Sequence, residues 1–309
     1  MKHSLPFIIV IILVAGTFRA ATASAITTAT GSATVNPKYS NITFTQNNSL
    51  DIYIPDNFAI TKGGRGDANT PYPAIIAISN DGTKDYSAIA QMLQALPYGY
   101  AVVAIGYCDS LPSSVANIIS AIKWIKANGH NYRLDPHKII LWGNSHGGYL
   151  AALAACSGTY LQGFNTEMEF YNSNQMAQAQ STEQYLQKMA TEFGADNTNN
   201  ATKVQAIIDL YGFIHPPQDS LVSASQQPST LSPQQFITPQ TPPFFMMYGE
   251  ADPYIPYTQA NRFADSLKNA IGSSLVEYIL IPSQGHGGEI FESPQFSRQI
   301  FVFLNKILF

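Results

Sequence analysis

Residues 143–148 read Gly143-Asn144-Ser145-His146-Gly147-Gly148, a G-x-S-x-G pentapeptide extended by one glycine. Ahead of it, Lys138-Ile139-Ile140-Leu141-Trp142 is a short apolar run suited to a buried strand. Behind it, Tyr149-Leu150-Ala151-Ala152-Leu153-Ala154-Ala155 consists of good helix formers. A serine at such a sharp strand-to-helix turn has its Oγ held out above the sheet. Glycines are needed on either side of it, because side chains there would strike the neighbouring strand and helix. Ser145 is therefore the candidate nucleophile.

Working outward, strands and helices alternate from residue 74 onward. Strand-like runs occupy 74–78, 101–105, 138–142, 204–210, 244–248 and 276–281, and helical patterns occupy 85–96, 114–127, 257–270 and 294–308. That rhythm is the signature of a parallel sheet with crossover helices. Upstream, residues 41–45 and 50–54 alternate apolar with polar around Gln46-Asn47-Asn48-Ser49 and read as an antiparallel hairpin, while 61–73 reads as a surface loop. The sum is an α/β domain over residues 35–309 with eight strands, mostly parallel. Two stretches break the rhythm: 157–203, rich in Gln, Asn, Met and Tyr with an amphipathic segment at 176–193, and 213–243, rich in Pro, Ser and Gln. Insertions of that length in a compact sheet fold are expected to be lids or binding loops.

Serine is a weak nucleophile until a base takes its proton and a third group fixes that base. Of six histidines, only His286 follows the last parallel-type strand, in Ser283-Gln284-Gly285-His286-Gly287-Gly288, at the strand's carboxyl end where α/β sheets carry their sites. The acid is expected one strand earlier, in Tyr248-Gly249-Glu250-Ala251-Asp252-Pro253, with Asp252 favoured over Glu250. Asp209, at the end of its own strand, is the rival acid, read instead as a structural carboxylate. The chain order Ser145, Asp252, His286 is that of the α/β-hydrolases and differs from the two other orders in which such a triad is built. For the oxyanion, the backbone N–H of His146 supplies one donor, and the second is expected from Asn80 or Asp81 in the Ser79-Asn80-Asp81-Gly82 loop. A carboxylate at Asp81 suits that role only if it points away.

A formal charge of -4 and the absence of a basic stripe argue against nucleic-acid binding. Lys2 and His3, an apolar run at residues 5–14 and small residues ending Ala23-Ser24-Ala25 form a secretory signal pattern with cleavage expected after Ala25. The run is too short for a membrane span of about 20 residues, so a secreted or periplasmic protein without a stable anchor is expected, with a flexible leader at 26–34. The only cysteines are Cys108 and Cys156, and two free thiols are expected. Cys156 lies about 16 Å along the helix from Ser145, far from the strand end that carries Cys108.

These residues together resemble the α/β-hydrolase superfamily, and within it the small esterase group typified by feruloyl-esterase-like and kynurenine-formamidase-like domains. The resemblance rests on Leu50-Asp51-Ile52-Tyr53-Ile54-Pro55, Gly99-Tyr100-Ala101-Val102-Val103 and Leu134-Asp135-Pro136-His137-Lys138-Ile139, and on the 143–148 turn. It continues through Pro242-Pro243-Phe244, Ala251-Asp252-Pro253-Tyr254-Ile255-Pro256 and Gly285-His286-Gly287-Gly288. It implies hydrolysis of small-molecule or polysaccharide-linked carboxylic esters through an acyl-enzyme, without metal or organic cofactor. Two departures stand out: the His-Gly-Gly run usual in the oxyanion loop is replaced by Ser79-Asn80-Asp81, and the serine is flanked by Asn144 and His146. A prolyl-oligopeptidase-type peptidase shares the turn and the triad order, and a hydrolase-fold binding protein with a weakened site is the non-catalytic alternative.

Overall fold

Runs of apolar residues that cannot face water on either side must be covered by helices on both faces, and the computed structural model of the chain has that layered arrangement. It describes residues 35–55, 70–107, 111–157, 202–215 and 232–309. Among these residues, eight strands form one sheet: β1 (Tyr39–Thr43), β2 (Ser49–Tyr53), β3 (Tyr72–Ile78), β4 (Ala101–Ile105), β5 (Leu134–Asn144), β6 (Ala206–Leu210), β7 (Phe244–Gly249) and β8 (Val276–Ile281). Their spatial order is β1-β2-β4-β3-β5-β6-β7-β8. β2 runs antiparallel to β1 and β4, and every other pairing is parallel. The chain therefore has the α/β-hydrolase fold expected from its sequence.

The α-helices among the described residues are α1 (Tyr86–Leu93), α2 (Leu111–Asn128), α3 (His146–Ser157), α4 (Tyr257–Ile271) and α5 (Pro294–Leu308). Strand alternation sorts the core into two layers. Ala74, Ile76 and Ile78 of β3 join the cluster that holds α2, α3 and α4. Ile75 and Ala77 join the cluster built on α1 and α5, where Trp142 packs with Phe301. α3 is apolar on nearly every side and is buried along most of its length, as expected of a helix pressed between a sheet and its outer neighbours.

Element ends differ from the sequence reading at several places, and two of the differences follow from strand pairing. Tyr72 and Pro73 belong to β3 rather than to the loop before it, because they pair with Leu134 and Asp135. β5 is correspondingly longer than 138–142, and its register then jumps so that Ala74 pairs with Ile139, leaving Pro136, which has no N–H to give a ladder, in the irregular stretch. The expected leader and signal segment, the amphipathic segment at 176–193 and the bulk of both proposed lids lie outside the described residues.

The feature that positions the site is the reversal of strand order at β3. The chain leaves β3 for β4 on one side and returns to β5 on the other, so the loops after β3 and β5 diverge at a topological switch point, where open α/β sheets bind ligands. The first turn of α3 is drawn so close to β3 there that a side chain at Gly147 would collide with the carbonyl oxygens of Ile78 and Ser79. One at Gly143 would strike the backbone of Gly147 and Gly148. These obstacles are backbone, which cannot rotate away. Gly147→Ala is thus expected to destabilise the protein by ~2 kcal/mol or more, read as a fall in Tm, and a variant melting with the parent would contradict this packing.

Candidate active site

Ser145 is the residue between β5 and α3, and its backbone has φ 53, a left-handed conformation that costs energy for any residue with a Cβ. The turn is held by hydrogen bonds on both sides. The Ser145 N–H donates to the Leu210 carbonyl at 2.9 Å, and the Ser145 carbonyl accepts from Tyr149 N–H at 3.1 Å to begin the helical ladder. The side chain that this turn presents lies 2.8 Å from His286 Nε2.

His286 arrives on the loop after β8, and Asp252 on the loop after β7; the parallel pairing of Gly249 with Ile281 makes those loops neighbours. Glu250 and Ala251 stitch them together through N–H bonds to the Ile281 carbonyl (2.9 Å) and the Gln284 carbonyl (2.8 Å). The Glu250 carboxylate accepts from Ser283 N–H at 3.2 Å, so the nearby acid is a latch between the loops and not a partner of the imidazole. Asp252 Oδ2 lies 2.7 Å from His286 Nδ1. With Nδ1–H donating to that carboxylate, Nε2 is left to accept the Ser145 hydroxyl proton. Ser145, His286 and Asp252 thus form one hydrogen-bonded chain from three separate loops.

The second oxygen of Asp252 is also engaged. Oδ1 accepts from the N–H groups of Tyr254 (2.8 Å) and Ile255 (3.0 Å), and Ile255 is buried. Burial pushes the Asp252 carboxyl up, but the hydrogen bonds from His286, Tyr254 and Ile255 outweigh it, and the group lies below the ordinary carboxylate range. It is therefore an anion that holds imidazole on one side and its own loop on the other.

His146 is the first residue of α3, where backbone N–H groups precede the helical ladder. Opposite it, Ser79 is buried, its Oγ donates to the Thr83 carbonyl at 2.8 Å, and its carbonyl accepts from the Tyr107 hydroxyl. Tyr107 N–H in turn donates to the Gly82 carbonyl at 3.1 Å. Asn80 and Asp81 lie exposed at the crest of this loop. The Asp81 carboxylate accepts from Thr83 N–H (3.0 Å) and Thr83 Oγ1 (2.9 Å). Burial raises the Asp81 carboxyl and the bonds to Thr83 lower it further, for a net shift downward. Among the described residues, no group of three His, Cys, Asp or Glu side chains stands where it could hold a metal ion.

The sequence profile of the BD-FAE family matches residues 50–267. The chain belongs to the BD-FAE family. It is 27% identical over 206 residues to esterase LipQ of Mycobacterium tuberculosis, a match that covers 64% of this chain and 45% of that protein. Esterase LipC of the same organism is 24% identical over 267 residues, covering 77% and 59%. The chain spans about half the length of the curated relatives it matches. Among solved structures, the propionate-bound thermophilic esterase Est2 of Thermogutta terrifontis superposes with a TM-score of 0.63 at 19% identity, over 89% of this chain and 95% of that one. A truncated carbohydrate esterase from gut microbiota gives 0.60 at 19% identity, over 89% and 98%.

Several residues that surround the site in this BD-FAE chain were not foreseen from sequence. Asn144 Nδ2 donates to Gln91 Oε1 at 2.7 Å, Gln91 Nε2 donates to the Phe291 carbonyl at 2.8 Å, and Trp142 Nε1 donates to Asn144 Oδ1 at 3.3 Å. This amide chain ties the residue before the nucleophile to α1 and to the segment beyond the histidine loop. Gln91 is a polar side chain among the buried residues of α1, with Ile89, Met92 and Leu93. Around His286 stand Tyr211, Phe213 and Tyr254, with ring centroids 5.0, 5.6 and 5.2 Å away. Burial lifts the Tyr211 hydroxyl to about 12.

Asp209 stays away from the imidazole. It accepts from the Tyr248 hydroxyl at 2.7 Å and from Gly212 N–H at 3.0 Å, completely buried behind α3. Burial lifts its carboxyl to about 6, the two hydrogen bonds opposing the rise. Cys156 is a free, buried thiol whose pKa is raised by burial and by Asp209; Cys108 lies outside the described residues. An acid whose folded pKa exceeds its unfolded value takes up more protons folded, so its ionisation costs stability as pH rises between the two values. Because the Tyr248 hydroxyl also lies 3.0 Å from the Gly212 carbonyl, it has a second acceptor when Asp209 carries the proton. Asp209→Asn mimics that protonated acid. Its Tm relative to the parent is expected to increase between about pH 4.5 and pH 7.5, and a difference that stays constant over that range would show that Asp209 does not titrate there.

Proposed function

We propose that the chain is a serine hydrolase that cleaves carboxylic esters through an acyl-enzyme. The observation that carries this reading is the hydrogen-bonded chain from Ser145 through His286 to Asp252 at the carboxyl edge of the sheet. It is supported by the names of the relatives, several of which are called esterases. Ser145 Oγ attacks the ester carbonyl carbon while His286 Nε2 takes its proton. The carbonyl electron pair moves onto oxygen, where the backbone N–H of His146 and one from Asn80 or Asp81 receive the charge. The pair returns, the bond to the alcohol breaks, and His286 gives its proton to the departing oxygen. Water then adds to the acyl-enzyme by the same route, so one ester and one water leave as an acid and an alcohol. Asp252 remains an anion throughout and holds the imidazole in the tautomer that accepts at Nε2.

Short-chain p-nitrophenyl esters are expected to turn over, and aminoacyl-nitroanilides are expected to be poor substrates; turnover of the amides alone would move the reading to a peptidase. A fluorophosphonate is expected to label Ser145, and a protein that resists labelling and turns over no ester would be a binding protein on a hydrolase fold. Ser145→Ala and His286→Ala should each lower kcat/KM on the order of a thousandfold or more, and Asp252→Asn by about a hundredfold or more. Full activity in Asp252→Asn would mean that another group orients the base.

The pattern at residues 1–25 supports export, to the periplasm or out of the cell, with the mature protein beginning at Ile26. Among the described residues no helix is long and apolar enough to cross a membrane. Mass spectrometry of the protein recovered outside the cytoplasm is expected to find Ile26 at the N-terminus; a mass retaining residues 1–25 would make that segment an anchor.

A further inference from the structure

The amide chain that starts at Asn144 has a fixed direction. The carbonyl of Phe291 can only accept a hydrogen bond, so Gln91 must present its NH2 group there and is left with its oxygen for Asn144. Asn144 must then present its own NH2 group to Gln91, and its oxygen faces the indole N–H of Trp142, which can only donate. With both ends committed, only amides satisfy positions 91 and 144 together. A carboxylate at either would set two acceptors against each other, and Gln91 is 4% exposed, too buried for water to repair the mismatch.

The ends of this chain lie next to the two residues that must meet. Asn144 immediately precedes Ser145. Phe291 lies in the short helical turn Glu289–Glu292, its N–H donating to the Gly288 carbonyl at 3.0 Å, and its ring packs edge-on against Tyr211, which packs edge-on against His286. Between His286 and that turn stand only Gly287 and Gly288, with φ 73 and φ 107, a pair with no side chains to stiffen it. The far end of the histidine loop is therefore located by where Phe291 is held, and α1 holds it through Gln91. Ser145 and His286 are thus tied twice, by their own 2.8 Å contact and by a path through Asn144, Gln91 and Phe291.

We propose that Gln91 and Asn144 are positioning residues that set the approach of His286 Nε2 to Ser145 Oγ, through the amide chain joining the nucleophile turn to the segment after the histidine loop. The proposal rests on the serine-hydrolase reading and adds to it the residues that keep the nucleophile and its base in register. That register matters because misplacing reacting groups by about 1 Å costs up to about a hundredfold in rate.

The test is the rate at which a fluorophosphonate labels Ser145, a reaction that needs the serine and its base but no particular acyl group or alcohol. Gln91→Glu keeps the shape of the parent. Protonated, it donates to the Phe291 carbonyl and accepts from Asn144 as glutamine does; ionised, it has nothing to donate. Burial favours the protonated form, so the change falls near neutrality. At about pH 8.5, Gln91→Glu is expected to label to full stoichiometry but about tenfold more slowly than the parent, and the ratio of the two rates to rise toward one by about pH 6. Taking the ratio removes the titration of the imidazole that both proteins share. Gln91→Met, which cannot donate at any pH, is expected to remain about tenfold slow throughout. A Gln91→Glu ratio independent of pH overturns the proposal, and so does labelling of Gln91→Met at the parent's rate. Labelling of only a fraction of the variant molecules, at the parent's rate, also overturns it, since the amides would then support folding alone. A parent whose Ser145 resists the reagent overturns the hydrolase reading and the proposal with it, an outcome distinct from a labelled parent matched in rate by its variants.

Discussion

The close approach of α3 to the end of β3 sets the geometry on which the other contacts depend. Gly147 lies so near the carbonyls of Ile78 and Ser79 that no side chain fits between helix and strand. With the helix pressed in that far, the chain must leave β5 through a single residue of positive φ, and Ser145 is that residue. The conformation is unfavourable locally, so it persists only because the surroundings over-determine it. Leu210 accepts the serine N–H, Tyr149 bonds to its carbonyl, and the buried length of α3 resists any rotation of the turn. The strain and the exposure of Oγ have the same cause.

From that fixed point the other groups are placed by sheet register and not by local sequence. β6 lies beside β5, β7 beside β6 and β8 beside β7, all parallel, so their carboxyl ends rise at the same edge. The loops after β7 and β8 are then laced together by backbone bonds, with Glu250 as a side-chain tie. Asp252 connects this scaffold to the imidazole, its carboxylate divided between His286 Nδ1 and two N–H groups of its own loop. Movement of the Tyr254 segment would therefore disturb the base.

Much of this was legible in the chain. Gly143 to Gly148 announces a strand-to-helix turn through its glycines and its apolar flanks, and alternating strands and helices announce a parallel sheet, because both patterns follow from local sterics and burial. His286 and Asp252 could be selected because each stands just past an apolar run that can only be a strand. What could not be read was lateral. The bonds from Asn144 to Gln91, from Tyr107 to Ser79 and from Glu250 to Ser283 join segments whose spacing along the chain carries no periodic signal. Tyr254 looked like one of seventeen tyrosines until the fold placed it against His286. Strand ends were also blurred where Pro73 and Pro136 interrupt local propensity yet tertiary pairing still recruits their neighbours.

Two buried carboxylates illustrate how environment, and not residue type, divides the roles. Asp209 ends β6 and Asp252 follows β7, so either might have been the acid behind the base. Asp209 is enclosed behind α3 with a neutral phenol and one N–H for company, and burial wins, which makes its charge costly near neutrality. Asp252 receives the imidazole N–H and two backbone N–H groups, and these outweigh burial, so its charge is kept. An acid that must remain ionised while the imidazole beside it gains and loses a proton needs the second environment. The first suits a carboxylate that braces the turn after β6 against α3, where Gly148 and Gly212 pass too close for any larger residue.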